Sequence, residues 1–174
     1  MSFIVVAPLS RIGEVAARYG AGNMISLLGE GHAFHRPGRV PADRHLHIGV
    51  NDIDKAMSGL VLAQEDHVRA IVEFARRWDR GTPLLVHCWM GISRSPAAAL
   101  IAALACNPEQ DDAALAQRLR RAAPAATPNS RLIAIGDEAL GRGGALVAGV
   151  AAIGRGADAM EGEPFRFDIA AGDQ

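Results

Sequence analysis

The sequence has few cysteines, almost no net charge and no long apolar run. It contains two cysteines, Cys88 and Cys106, which excludes a framework of several disulfides and forms no C-x-x-C pair, so reduced thiols are expected. The formal net charge is -1 and the basic residues are spread along the chain, which argues against nucleic acid and anionic membranes as partners. The longest apolar run, residues 97–105, is about half of what the roughly 20 residues of a membrane-spanning helix require. We expect a buried helix there.

Length and composition fit one domain. The chain has 174 residues, 49% of them hydrophobic, which is enough for one buried core and short for two. We predict a single domain over residues 1–158 and an extended or flexible C-terminal arm over residues 159–174. The N-terminus lacks the charged start and longer apolar run of a secretory signal, so we expect a cytoplasmic protein. The oligomeric state stays open.

Hydrophobic periodicity predicts alternating strands and helices. Strands are predicted at residues 3–7, 24–28, 44–50 and 83–87, and helices at 12–19, 64–78, 111–122, 129–140 and 145–153, with another directly after Arg94. The early strand–helix–strand unit favours parallel strands, and the almost purely apolar run 83–87 is typical of a central strand covered on both faces. We therefore predict an α/β fold, with a mainly parallel central sheet of four or five strands flanked by helices.

The stretch from Leu84 to Pro96 carries the clearest chemical signal. Cys88 follows a buried strand, a five-residue loop comes next, and Arg94 stands at the start of a helix. Such a loop can turn its backbone N–H groups inward and form a nest for a tetrahedral anion, which the positive end of the helix also favours. A guanidinium can bind two phosphate oxygens at once, so Arg94 would close this nest. The same donors favour a thiolate, which makes Cys88 the candidate nucleophile.

A family resemblance rests on these residues. His87 and Cys88, the five following residues, Arg94 and Ser95 resemble the phosphate-binding loop of the protein tyrosine phosphatase superfamily. The longer string His-Cys-x-x-Gly-Ile-Ser-Arg-Ser-Pro is similar to that of its dual-specificity branch, and the short chain resembles bacterial-type small phosphatases. Weaker likeness extends from about residue 44 to residue 131. The resemblance implies a phosphatase-like fold and a phosphomonoester hydrolase that forms a phosphocysteine intermediate, without a metal or cofactor.

The resemblance also implies a role for each residue of this loop. Cys88 would attack phosphorus, Arg94 would clamp the phosphate, Ser95 would help the thiolate leave, and His87 would tune the cysteine from behind. Backbone N–H groups would hold the phosphate oxygens, and they belong to Trp89, Met90, Gly91, Ile92, Ser93 and Arg94. The residues between Cys88 and Arg94 are uncharged, whereas lipid-phosphatase relatives tend to carry basic residues there. This difference argues against phosphoinositides as substrates.

Two further segments resemble family motifs. Residues 48–52 are similar to the segment that brings the general-acid aspartate, so Asp52 is the candidate acid, and Asp54 is a rival that spacing alone does not exclude. Thr127, Pro128 and Asn129 resemble a motif whose asparagine braces the phosphate loop, which makes Asn129 a supporting residue.

Other functions remain open at this point. The expected substrate is a phosphorylated protein or peptide, with phosphotyrosine first, although phosphoserine, phosphothreonine and a small metabolite also fit. A pseudophosphatase that binds phosphorylated partners without turnover would keep the same loop, and a rhodanese-like sulfurtransferase is a weaker alternative. His45 and His47 alternate and would share a strand face, but their spacing matches no closed zinc pattern, so no metal site is predicted.

Overall fold

The computed structural model describes residues 2–169, within which five strands form one sheet. The strands are β1 (Phe3–Pro8), β2 (Asn23–Leu28), β3 (His45–Gly49), β4 (Leu84–Cys88) and β5 (Phe165–Asp168). Their order across the sheet is β3-β2-β4-β1-β5. The pairs β3–β2, β2–β4 and β4–β1 are parallel, and only β5 pairs antiparallel. The predicted α/β fold with a mainly parallel sheet is confirmed.

Helices cover both faces of the sheet. They are α1 (Ile12–Tyr19), α2 (Glu65–Arg77), α3 (Arg94–Cys106), α4 (Asp112–Ala122), α5 (Ser130–Ala139) and α6 (Ala145–Ile153). Apolar residues of α1 form one cluster with one face of the sheet, and those of the other helices join the cluster on the opposite face. Helix α3 is buried from Arg94 to Ala105, which accounts for the long apolar run. None of the helices formed by residues 2–169 has the length and apolar character to cross a bilayer.

Strand β4 lies in the centre of the sheet, between β2 and β1. All of its residues are buried, because in the centre of the sheet both faces of the strand are covered. Its insertion separates β1 from β2, although these strands run parallel as the strand–helix–strand unit predicts. The register pairs Pro8 with Cys88 and Ser26 with His87. The carboxyl ends of the three strands therefore meet at the edge where Cys88 stands.

The C-terminal segment returns to the sheet as β5. Phe165 and Phe167 point into the core while Arg166 and Asp168 are exposed, which is the alternation expected of an edge strand. The arm predicted over residues 159–174 thus contains a strand paired with β1. Its last residues, 170–174, lie outside the described residues.

Arg120 of α4 joins the chain after α4 to the end of α6. Its guanidinium donates hydrogen bonds of 2.7–3.4 Å to the carbonyls of Ala123, Pro124, Ala126, Ile153 and Gly154. Ala123 O and Pro124 O also accept from Ala126 N and Ala157 N. A lost guanidinium would therefore leave chiefly the part-buried carbonyls of Ala126 and Ile153 without a donor within residues 2–169, which is the costly way to lose a hydrogen bond.

We expect Arg120→Met to lower the free energy of unfolding by about 2 to 3 kcal/mol, because charged donors are lost while their acceptors stay. Urea denaturation followed by circular dichroism measures this loss. The control is Arg121→Met, since Arg121 is exposed and makes no side-chain hydrogen bond within residues 2–169; its effect should stay within about 0.5 kcal/mol. Equal losses in the two variants would contradict the assignment.

Candidate active site

Cys88 ends β4 at the start of the phosphate loop, residues 88–94, and only 2% of its surface is exposed. The backbone N–H of Gly91 donates to its Sγ at 3.3 Å, and the Ser95 hydroxyl lies 3.1 Å from the same sulfur. Gly91 has φ +71°, and a Cβ there would come within 2.9 Å of the backbone of Pro8. Glycine is therefore needed for the turn that brings this N–H to the sulfur.

Carbonyl groups of the phosphate loop point away from its interior, because donors outside residues 88–94 hold them. The bonds run from His87 Nδ1 to Cys88 O (3.1 Å), Leu9 N to Trp89 O (3.0 Å), Gly162 N to Met90 O (2.8 Å), Thr127 N to Ile92 O (2.8 Å) and Asn129 N to Ser93 O (3.1 Å). In a planar trans peptide the N–H points opposite to the C=O. Each bond therefore aims the next N–H inward, as the bond from Gly91 to the sulfur illustrates. The loop is a preformed nest for an anion.

Arg94 is the first residue of α3 and is 8% exposed. Its NH1 donates to the carbonyl of Val50 at 2.8 Å, which fixes the guanidinium between α3 and the chain after β3. Its Nε is buried and has no acceptor among the described residues. Because an unsatisfied buried N–H is costly, this atom indicates a place for an anionic ligand.

Asp52 contacts the phosphate loop and Asp54 does not. Asp52 Oδ1 accepts hydrogen bonds from Ser93 Oγ at 2.7 Å and from Asn129 Nδ2 at 2.9 Å. Asp52 Oδ2 accepts none from residues 2–169, so it is the oxygen available to carry a proton. Asp54 is exposed and forms no hydrogen bond within the same residues.

Asn129 contacts the loop through its backbone. The resemblance implies that Asn129 braces the phosphate loop, and the bond to Ser93 O comes from its main-chain N–H. The side-chain Oδ1 instead accepts from Leu132 N at 2.9 Å and caps α5, while Nδ2 donates to Asp52 and to Ile53 O. Asn129 thus couples the acidic segment, the phosphate loop and the start of α5.

His87 is fully buried behind the loop. Its Nδ1 bonds Cys88 O, and its Nε2 lies 2.6 Å from the hydroxyl of Ser26. Burial lowers the pKa of His87 to about 4, although the bond to Cys88 opposes this shift. The imidazole is therefore neutral near neutral pH, with one bare nitrogen.

The rim of the site is apolar. Trp89 and Met90 are 48% and 37% exposed, and the ring of His32 packs edge-on against Trp89 at 5.2 Å between centroids. Away from the rim, His45 and His47 lie on the edge strand β3. They share a face, as their alternation predicts, and their rings are stacked. Within residues 2–169, no three His, Cys, Asp or Glu side chains are grouped to hold a metal ion.

The sequence motifs did not reveal two of the groups that hold the loop. Leu9 and Gly162 act through main-chain N–H groups, which leave no signature in residue type. Only the choice of glycine at position 162 relates to this contact, because a Cβ there would lie 2.9 Å from Gly91 O and 3.3 Å from Met90 O. The C-terminal segment is further fixed by ion pairing of Glu163 with Arg11 at 2.7 Å.

Comparisons with known proteins give structural matches. No protein-family model and no curated protein matches the chain. Human DUSP28 is similar with a TM-score of 0.60 and 20% identity, over 79% of this chain and 87% of that protein. The PTP-2 phosphatase of Cydia pomonella has a TM-score of 0.59 and 19% identity, over 76% and 83%. A mouse putative dual specificity phosphatase complexed with zinc tungstate has 0.58 and 22%, over 80% and 83%.

These matches identify the fold. Their sequence identity is low, but each match covers most of both chains. The chain therefore has the fold of these solved phosphatases. The resemblance stated from the residues of the loop is confirmed at this level.

We expect Gly162→Ala to weaken binding of inorganic phosphate by about tenfold, equivalent to about 1.4 kcal/mol. The added Cβ meets the backbone oxygen of Gly91, so the loop carbonyls must move and the inward N–H groups with them. Isothermal titration calorimetry measures the affinity. Gly13→Ala is the control, because a Cβ there meets nothing within 4 Å. Unchanged phosphate affinity in a folded Gly162→Ala protein would contradict the role of this contact.

Proposed function

We propose that this protein is a cysteine-dependent phosphomonoester hydrolase of the protein tyrosine or dual-specificity type. The observation that carries the proposal is the buried Arg94 Nε without an acceptor, at the end of a loop whose N–H groups face the same side as Cys88 Sγ. A tetrahedral oxyanion would satisfy both sets of donors at once. Its phosphorus would then stand in front of the sulfur.

In the first step, Cys88 Sγ attacks phosphorus, an S–P bond forms and the P–O bond to the leaving group breaks. Charge on the three equatorial oxygens is stabilised by the inward N–H groups and by Arg94. Asp52 donates its proton to the leaving oxygen. The bonds from Ser93 and Asn129 to Oδ1 support this role, because they fix the carboxyl group and leave Oδ2 for the transfer.

In the second step, water attacks the phosphocysteine and Asp52, now ionised, accepts the proton of that water. The S–P bond breaks and inorganic phosphate forms. The sulfur leaves as a thiolate, and the Ser95 hydroxyl, 3.1 Å from Sγ, donates to it as the charge returns. His87 keeps the Cys88 carbonyl turned outward throughout both steps.

The substrate class we propose is a phosphorylated protein or peptide, with phosphotyrosine as the first candidate. The exposed Trp89 and Met90 at the rim suit contact with an aromatic or apolar substrate, and the loop offers no lysine or second arginine for further lipid phosphates. Peptides that differ only in the phosphorylated residue, compared by kcat/KM, separate phosphotyrosine from phosphoserine and phosphothreonine.

Cys88→Ser should lower p-nitrophenyl phosphate hydrolysis in EDTA by at least about a thousandfold, because the nucleophile of both steps is lost. Cys106→Ser is the matched control and should keep full activity, since Cys106 lies at the far end of α3. Metal-dependent hydrolysis that survives Cys88→Ser would overturn the proposal. Absent turnover with retained phosphopeptide binding would favour a pseudophosphatase, and sulfur transfer from thiosulfate would favour a sulfurtransferase.

Asp52→Asn should lower kcat for phenyl phosphate by about a hundredfold, because this poor leaving group needs a proton from the enzyme. The matched control is Asp54→Asn, which makes the same charge change in the same segment and should leave kcat within about twofold, since Asp54 forms no hydrogen bond within residues 2–169. A larger loss for Asp54→Asn than for Asp52→Asn would transfer the role of acid to Asp54.

A further inference from the structure

A buried hydrogen-bonded chain runs behind the phosphate loop, on the sheet face that α1 covers. Ser26 of β2 is fully buried between β3 and β4. Its Oγ lies 2.8 Å from Nε2 of His45 and 2.6 Å from Nε2 of His87. The other ring nitrogen of His87 bonds Cys88 O at 3.1 Å. Three side chains thus connect a half-buried histidine on β3 to the main chain of the candidate nucleophile.

The acceptors in this chain fix the position of every proton. A carbonyl can only accept, so His87 donates to Cys88 O from a protonated Nδ1. The Nε2 of neutral His87 is then bare and must accept the proton of the Ser26 hydroxyl. Because that hydroxyl has a single proton, Ser26 Oγ in turn accepts from a protonated Nε2 of His45.

The surroundings keep the chain neutral. The ring of Phe34 packs edge-on against His45, His47 and His87, with centroids 5.2–5.8 Å apart. Burial lowers the pKa of both His45 and His87 to about 4. Electrostatic interaction with His47 on β3 and Arg36 in the preceding loop adds to the shift of His45. For His87 the bond to Cys88 opposes the shift, and interaction with His45, His47 and Arg94 of α3 adds to it.

We propose that Ser26 and His45 are positioning residues, which hold His87 in its Nδ1–H tautomer and thereby keep the N–H of Trp89 aimed into the phosphate nest. The proposal rests on the phosphatase function proposed above. The link is the peptide that joins Cys88 to Trp89: its carbonyl faces His87, so its N–H faces the opposite way, toward the anion.

Loss of the serine proton changes this geometry in a definite way. Without it, neutral His87 can place its hydrogen on Nε2, and a bare Nδ1 then faces the Cys88 carbonyl. Two acceptors in contact repel, so the peptide rotates and one donor of the nest is lost. Because the nest stabilises charge that develops on the oxygens during reaction, the effect should appear in kcat more than in KM.

The test combines the side-chain ¹⁵N NMR spectrum of His87 with kcat and KM for phenyl phosphate. Wild type should show the Nδ1–H tautomer. Ser26→Ala should shift His87 toward Nε2–H and lower kcat by about tenfold, with KM within about twofold. His45→Leu, which removes the outer donor but keeps the bond from Ser26 to His87, should lower kcat by a few fold, about three to five. His45→Gln, whose amide can donate to Ser26, should restore it.

The matched control is His47→Gln, on the same face of β3 but without a hydrogen bond to Ser26 within the described chain, and it should match wild type. Unchanged His87 tautomer and kcat in Ser26→Ala would overturn the proposal. If Ser26→Ala does not fold, the comparison of His45→Leu with His45→Gln decides. Equal kcat for these two variants overturns the proposal, and a higher kcat for His45→Gln supports it. Should wild type hydrolyse no phosphate ester, the proposed function fails, while the tautomer and inorganic phosphate affinity of these variants still test the chain.

Discussion

The outward orientation of the phosphate-loop carbonyls is the constraint on which the rest of the site depends. Inward N–H groups lying side by side repel one another when no anion is present, so a free loop would not keep this arrangement. The donors that hold the loop carbonyls come from the chain just after β1, from His87 on β4, from the segment before α5 and from the C-terminal segment. Four separate parts of the fold must therefore be in place before the nest exists.

The sheet order explains how they reach one place. With β4 in the centre and β1 beside it, the chain that leaves β1 passes directly next to the chain that leaves β4, and Leu9 can bond Trp89. Strand β5 on the far side of β1 brings the preceding residues, including Gly162, back to the same edge. Helix α3, rich in alanine and buried along most of its length, directs its positive N-terminal end at the loop and holds Arg94 rigidly.

The sequence predicted the parts of this arrangement that are local. Strand β4, the loop and α3 follow one another in the chain, so apolar runs, loop length and residue types sufficed. The extended or flexible C-terminal arm was predicted without its pairing to β1, because that contact joins residues far apart in sequence. The spacing of Asp52 and Asp54 could not separate them, since the distinction lies in contacts with Ser93 and Asn129 that only the folded chain makes.

Two networks reach the loop from different sides, and they constrain different atoms. On the open side, Ser93 and Asn129 hold one carboxylate oxygen of Asp52, the proposed acid, next to the loop, while its other oxygen accepts no hydrogen bond from residues 2–169. On the buried side, Ser26 and His87 act on the peptide after Cys88, where no proton need move during the reaction. A proton donor changes its charge during the reaction, whereas a group that holds a backbone peptide must keep its charge constant. The exposure of Asp52 and the complete burial of His87 fit these two proposed roles, which act on the same loop from outside it.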